Sequence, residues 1–350
     1  MNVPDYTDAD LRDLGVRVRM HRNESPLPPP SFVLDAVRAA APDLLRTYPA
    51  ELAVEVRALL AARLGVRDEN VLLVNGADEA LGAIARAYAA GRSAVVPEPS
   101  FGMYERVARI AGANLWRVPY RERWRLDLDA VRAAAGRNDV VILGHPNNPT
   151  GEELERDAVV RLARALPQSL IVIDEVYLAF SERSLVDLAR ALSNVVVVGS
   201  LSKIASLAGM RVGYAVASAR RIADLRAVTQ PFPVAGLSLA AARAYLAGGA
   251  QTQRFERDLR ARVGASLDAI EEALDPVALS RWRGAANLVL ADLGARRDEI
   301  VAALLRDGIA VRSYAVPSLA TCARFCAVDE DDTIAFVSAM RALEAERVPA

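Results

Sequence analysis

Six short runs of branched apolar residues punctuate the first two thirds of the chain: NVLLVN (70–75), RSAVVP (92–97), DVVILG (139–144), SLIVID (169–174), NVVVVGS (194–200) and VGYAVA (212–217). Most lack the polar–apolar alternation of a strand with one wet face. Each therefore predicts a strand covered on both sides, as in a mostly parallel sheet with helices on its two faces. Between the runs apolar residues recur at three-to-four spacing. DEALGAIARAYAAG (78–91) predicts a helix closing on Gly91, and ERDAVVRLARAL (155–166) predicts another. Strand–helix alternation makes this an α/β layer architecture. PLPPPS (26–31) predicts a stiff hinge after the first segment. Past about residue 235 the pattern changes. A long helical stretch, 235–275, is interrupted at Gly248-Gly249, and NLVLADL (287–293), IAVRSY (309–314) and ARFCAV (323–328) then alternate with helices. The expected division is an arm over 1–28 packing beside a small α+β domain at 251–350, with a large domain at 29–250.

Composition narrows the class. The chain has 350 residues, 53% of them hydrophobic and 25% charged, enough to bury a sizeable core. A net charge of −1 leaves no basic field to draw it to nucleic acid or to an anionic membrane. No apolar run reaches membrane-spanning length without a charge. Two cysteines, Cys322 and Cys326, are too few for a disulfide framework, and two histidines hardly complete a zinc site. They read as core thiols of a reducing compartment, with no metal expected. The acidic N-terminus lacks the basic and apolar regions of a signal peptide, so a cytoplasmic location is expected.

The polar outliers collect at the carboxyl ends of the apolar runs, where open α/β sheets bind ligands. NGADEAL (75–81) opens a helix after a strand, and the free N–H groups near Gly76, Ala77 and Asp78 favour a phosphate. HPNNPTG (145–151) follows another strand. Asp174 comes directly after LIVI, either as a cap or as a functional carboxylate. Of the 43 lysine and arginine residues only Lys203, in SLSKIASLAGMRVGY (200–214), is a lysine. It is either a compositional remainder or an amine that must lose its proton, which arginine cannot do. Ser200, Ser202 and Arg211 around it suit a phosphate dianion, although the serines serve equally as turn or cap hydroxyls.

The order NGADE, PNNPTG, DEVY, SLSK…AGMRVGY resembles that of the fold-type I, pyridoxal 5′-phosphate (PLP)-dependent aminotransferases, and most closely the histidinol-phosphate aminotransferases. HRNESP, TYP (47–49), PSFGMY (99–104), PFPV (231–234), AANLVLA (285–291) and VRSYAVPSLATCAR (311–324) extend the likeness over nearly the whole chain. The resemblance implies a PLP-binding large domain and a homodimer. Lys203 would form the Schiff base with the cofactor and shuttle a proton, Asp174 would pair with the pyridine nitrogen, and Asn148 and Tyr177 would hold the phenolic oxygen O3′. Phe101 stands where the family usually stacks a tyrosine on the ring, with core packing as the alternative. The phosphate would lie against Ser200, Ser202, Arg211 and the 76–78 turn, and Tyr48 would reach the phosphate of the neighbouring subunit.

For the substrate, Arg324 matches the arginine that grips the α-carboxylate. Asn23, Tyr6 and Arg312 match substrate-facing positions, the last two beside the substrate's phosphate. This chain departs from the family in two places: Arg22 replaces a small or uncharged residue, and RFCAVDE after Arg324 has no glycine. Arg22 either reads a different side chain or points to solvent. The implied reaction moves an amino group from histidinol phosphate or a related amino donor to a 2-oxo acid. An aminotransferase of a specialised pathway and a decarboxylase of the threonine-phosphate type stay open. A non-catalytic PLP-binding regulator would need a DNA-binding extension that the first 30 residues do not supply, and no G-x-G-x-x-G supports a nicotinamide enzyme.

Overall fold

The computed structural model describes residues 15–345, apart from 138 and 182. The arm contributes a two-residue strand, β1 (Val18–Arg19). The six apolar runs then form β2 (Val71–Asn75), β3 (Ser93–Glu98), β5 (Val140–Gly144), β6 (Leu170–Asp174), β7 (Val195–Ser200) and β8 (Val212–Val216). A seventh strand, β4 (Asn114–Pro119), was not in the apolar pattern because four of its six residues are exposed at the sheet edge. The sheet order is β2-β8-β7-β6-β5-β3-β4. Every neighbour pair is parallel except the two made by β8, which runs against both β2 and β7. The reversal matters for function, because it brings the start of β8 to the edge where the parallel strands end.

The continuous apolar runs have a plain cause. Successive residues of a strand point to opposite faces. Here Leu73, Ile171, Ile173 and Val197 belong to one buried core, and Leu72, Leu170, Val172 and Val196 to the core on the other face. With both faces covered, alternation has nothing polar to show. The helix expected over 78–91 starts two residues earlier, at Gly76, runs to Ile84 and continues as a π-helical turn over Ala85–Ala89. The 155–166 pattern is the helix Arg156–Ala165. The 235–275 stretch is two helices, Gly236–Ala247 and Gly249–Leu274, parted where Gly249 takes a left-handed φ of 51°.

A third core holds the second half of the Gly249–Leu274 helix (Leu259, Val263, Leu267, Ile270, Leu274) with residues from 277 to 340, and with Val18 and Met20 of the arm. The expected boundary at 250/251 lies inside this helix. A four-stranded antiparallel sheet of β9 (Ser280–Trp282), β10 (Leu288–Asp292), β12 (Arg312–Ser313) and β13 (Cys322–Cys326) stands in this region. β11 (Ile309–Ala310) instead pairs in parallel with β1, so the arm is stitched to the small core. No helix among the described residues is long and apolar enough to cross a membrane.

Candidate active site

A cavity of about 630 Å³ opens where the strand ends of the large sheet face the arm and β12–β13. Lys203 lies on its wall, on the short helix Leu201–Ile204 that follows β7. Its ammonium donates to the carbonyl oxygens of Arg22, at 3.4 Å, and of Asn23. Burial, with the nearby Arg324 charge adding to it, pulls its pKa down to about 8. Asp174 ends β6, at 5% exposure. Its Oδ2 accepts from the Tyr104 hydroxyl at 2.8 Å and its Oδ1 from the Val176 N–H at 3.0 Å. Burial pushes its pKa up to about 6, against the pull of those two bonds.

Tyr177 joins the large sheet to the arm. Its hydroxyl accepts from Asn23 Nδ2 at 2.7 Å and from Asn148 Nδ2 at 3.2 Å. Both lone pairs are thereby occupied, and the hydroxyl proton is left to donate. Asn148 Oδ1 in turn accepts from Arg324 Nη1 at 2.8 Å, while Arg324 Nη2 donates to His21 O. Arg324 is 5% exposed on β13, directly across the ladder from Arg312 on β12. Asn23 Oδ1, on a residue that lines the cavity, is buried without a partner among the described residues, and the Tyr314 hydroxyl lies beside the Arg324 guanidinium on the same wall.

The phosphate-type cradle is built by close approach of backbone. Gly76, at φ 74°, starts the Gly76–Ile84 helix, and a Cβ there would lie 2.4 Å from Arg211 Nη2. A Cβ on Gly213 would lie 2.3 Å from the carbonyl carbon of Gly76. Only glycines let the helix start, β8 and the Arg211 guanidinium meet. Arg211 itself, at φ 53°, pairs with Asp78 at 3.2 Å. Ser200 caps the Lys203 helix by accepting the Ser202 N–H at 3.0 Å, and the two hydroxyls lie 2.7 Å apart.

The cavity thus brings together Lys203, Asp174, Tyr177, Asn148, Phe101, Ser200, Ser202, Arg211, Ala77, Asp78, Arg324, Arg312, Asn23 and Arg22. Arg22 lies on the wall, half-buried, rather than out in solvent. Gly76 sits beneath the cradle and does not line the cavity. Tyr48 is not at this chain's own cavity: it is 79% exposed and stacks on Phe232 with ring centroids 4.8 Å apart. Tyr6 lies outside the described residues.

Residues 17–340 match the model of the aminotransferase class I and II family. The chain belongs to that family. Histidinol-phosphate aminotransferase of Symbiobacterium thermophilum is 36% identical over 316 residues, 87% of this chain and 86% of that one. The Stutzerimonas stutzeri enzyme of the same name is 33% identical over 95% of this chain and 92% of its own. The crystal structure of the Sinorhizobium meliloti histidinol-phosphate aminotransferase in complex with PLP superposes with a TM-score of 0.88, at 26% identity, over 97% of this chain and 96% of that one. The L-threonine-O-3-phosphate decarboxylase of Porphyromonas gingivalis shares the fold, with a TM-score of 0.80 at 23% identity. The fold-type I α/β architecture and the aminotransferase class implied by the motifs are thereby those of this chain.

The motif reading of this aminotransferase passed over three residues. Tyr104 bonds Asp174, Tyr314 brings its hydroxyl to the wall beside Arg324, and Asn287, fully buried, donates to the carbonyls of Asn23 and Glu24 at 3.5 and 3.3 Å. All three stand inside quoted motifs (PSFGMY, VRSYAVP, AANLVLA), but the motif alone does not show where each side chain's polar end points.

Proposed function

We propose that this aminotransferase carries PLP on Lys203 and takes histidinol phosphate as amino donor, passing the amino group to a 2-oxo acid such as 2-oxoglutarate. One observation carries the reading. The chain's single lysine shares a cavity with a buried strand-end carboxylate and with a glycine-made cradle under Arg211. The residues fit the cofactor, since Tyr177 has a hydroxyl proton to donate and Arg211, Ser202 and the helix start converge as phosphate donors. When bound, PLP supplies a ring that draws electrons from the substrate's Cα. Asp174 would hold the ring nitrogen, Tyr177 and Asn148 the phenolic oxygen, and Phe101 the ring face. Lys203, softened by burial, exchanges its proton near neutral pH.

The substrate assignment rests on the names of the relatives and on charge. Arg312 and Arg324 stand side by side on adjacent strands, with Arg22 on the same wall, a setting for an anionic tail. Asn23 Oδ1 is a buried acceptor for an amino group, and the neighbouring Arg324 and Tyr314 bring N–H and O–H groups to the same cavity. The exposed Tyr48–Phe232 stack supports a homodimer in which Tyr48 of a second copy completes the phosphate site. Two buried free thiols, Cys322 and Cys326, support a reducing compartment such as the cytoplasm. Incubation with histidinol phosphate and 2-oxoglutarate tests the function: glutamate should form. Histidinol phosphate has no carboxylate to lose, so the decarboxylase is tested with L-threonine-O-3-phosphate: carbon dioxide from it, with no glutamate from histidinol phosphate, would favour that reading, and inertness toward histidinol phosphate with turnover of another amino donor would overturn the substrate.

A further inference from the structure

Tyr104 is 2% exposed and belongs to the Met103–Ile110 helix. Its hydroxyl bond to Asp174 Oδ2, at 2.8 Å, and the Val176 N–H on Oδ1, at 3.0 Å, hold the carboxylate at both oxygens. Two donors on two oxygens fix the plane of the group as well as its place. Gly144, which pairs with Asp174 in the β5–β6 ladder, leaves room beside the contact. A Cβ at Gly144 would lie 3.2 Å from the Tyr104 hydroxyl. Three residues earlier Phe101 meets Tyr104 edge-on, with centroids 5.8 Å apart and planes at 89°. One short segment therefore carries both the cavity-wall aromatic and the group that steadies Asp174.

We propose that Tyr104 is a positioning residue that aims the Asp174 carboxylate at the cofactor's ring nitrogen and keeps it an anion there. The proposal rests on the PLP reading above. Removing the hydroxyl leaves a buried carboxylate with one donor fewer and makes it more basic, so it takes the shared proton from the ring nitrogen. The ring then withdraws electrons less strongly. Burial and the Asp174 charge hold the Tyr104 phenol well above its ordinary value, so it stays a donor throughout the working pH range.

The test compares PLP-loaded wild type with Tyr104→Phe. The variant should lose about 10- to 100-fold in kcat, the range of one hydrogen bond to a charged group, with the amino donor's KM little changed. The pH midpoint of the cofactor's visible absorbance should move upward, because a less positive ring nitrogen lets the lysine link keep its proton to higher pH. In an Asp174→Asn background the same change should alter neither the midpoint nor kcat further, and this arm also serves if the single variant folds poorly. A loaded Tyr104→Phe protein with the wild-type midpoint and kcat would overturn the proposal, as would additive losses in the double variant. Wild type that takes up no PLP would overturn the functional reading itself, and this proposal with it.

Discussion

Lys203 shows how position alone changes a residue's chemistry. An ordinary lysine is protonated until pH ~10.4. Here burial beside Arg324 brings the value to about 8. Desolvation disfavours the charged form, so the neutral amine is more abundant at every pH below the ordinary value. The rate at which cofactor-free protein captures PLP should therefore rise about tenfold per pH unit up to roughly pH 8 and level off above it. Stopped-flow absorbance between pH 6 and 10 would show the plateau, and a rate still climbing at pH 10 would contradict the assigned environment. At this scale the sequence was legible where a motif carries chemistry: Lys203, Asp174, Tyr177, Asn148, Arg211 and Arg324 all reach one cavity. It was silent on Tyr104, because nothing in PSFGMY tells a packed tyrosine from one whose hydroxyl reaches Asp174, 70 residues away. Asn23 was read only as substrate-facing. That its amide also holds Tyr177 across 154 residues needed the fold.

Among the elements, β8 does the least visible work. Its run of apolar residues reads like that of any other buried strand, yet it is antiparallel to both neighbours. Direction cannot be read from a run that is buried on both faces. The consequence is specific, since Arg211 precedes β8 and so stands at the edge where β2 and β7 end. Gly213 pairs with Val74 on one side and Ser200 on the other, and the start of the Gly76–Ile84 helix passes directly over it. Gly213→Ala would force a Cβ to within 2.6 Å of the Ala77 nitrogen, a backbone atom with nowhere to move. It should cost about 1–3 kcal/mol or more in stability and weaken PLP binding. Gly264→Ala is the control. Nothing lies within 4 Å of its Cβ position, it sits inside a helix, and the change should stabilise by about 0.5–1 kcal/mol. Denaturant midpoints and PLP titrations of the two variants would separate the effects, and equal behaviour would refute the close-approach argument.

For the whole molecule, the arm unites what the two sheets build. β1 pairs with β11, Val18 and Met20 fill the small core, and the next residues present carbonyls to Lys203 and Arg324. The apolar pattern predicts a large and a smaller region with an arm beside the smaller one, and of that arm Val18 and Met20 lie in the small core. The point at which one core gives way to the other was not legible, because the long helix from Gly249 serves both. Tyr48 belongs to this scale as well. Exposed and stacked on Phe232, it makes physical sense as a donor to another copy's site. On the proposed homodimer, Tyr48→Phe should leave the melting temperature of the cofactor-free protein and the sedimenting mass unchanged while raising the PLP dissociation constant about 10- to 100-fold, the worth of one hydrogen bond to a charged group. Equilibrium dialysis and sedimentation would check both halves, and unchanged PLP affinity would remove Tyr48 from the site. The central claim concerns a single covalent link, and a chain with one lysine permits an unusually direct measurement. Borohydride reduction of the PLP-loaded protein followed by peptide mass mapping should place the cofactor on Lys203 alone, with no label in Lys203→Ala. Label at the N-terminal amine instead, or retained label in the variant, would contradict the account.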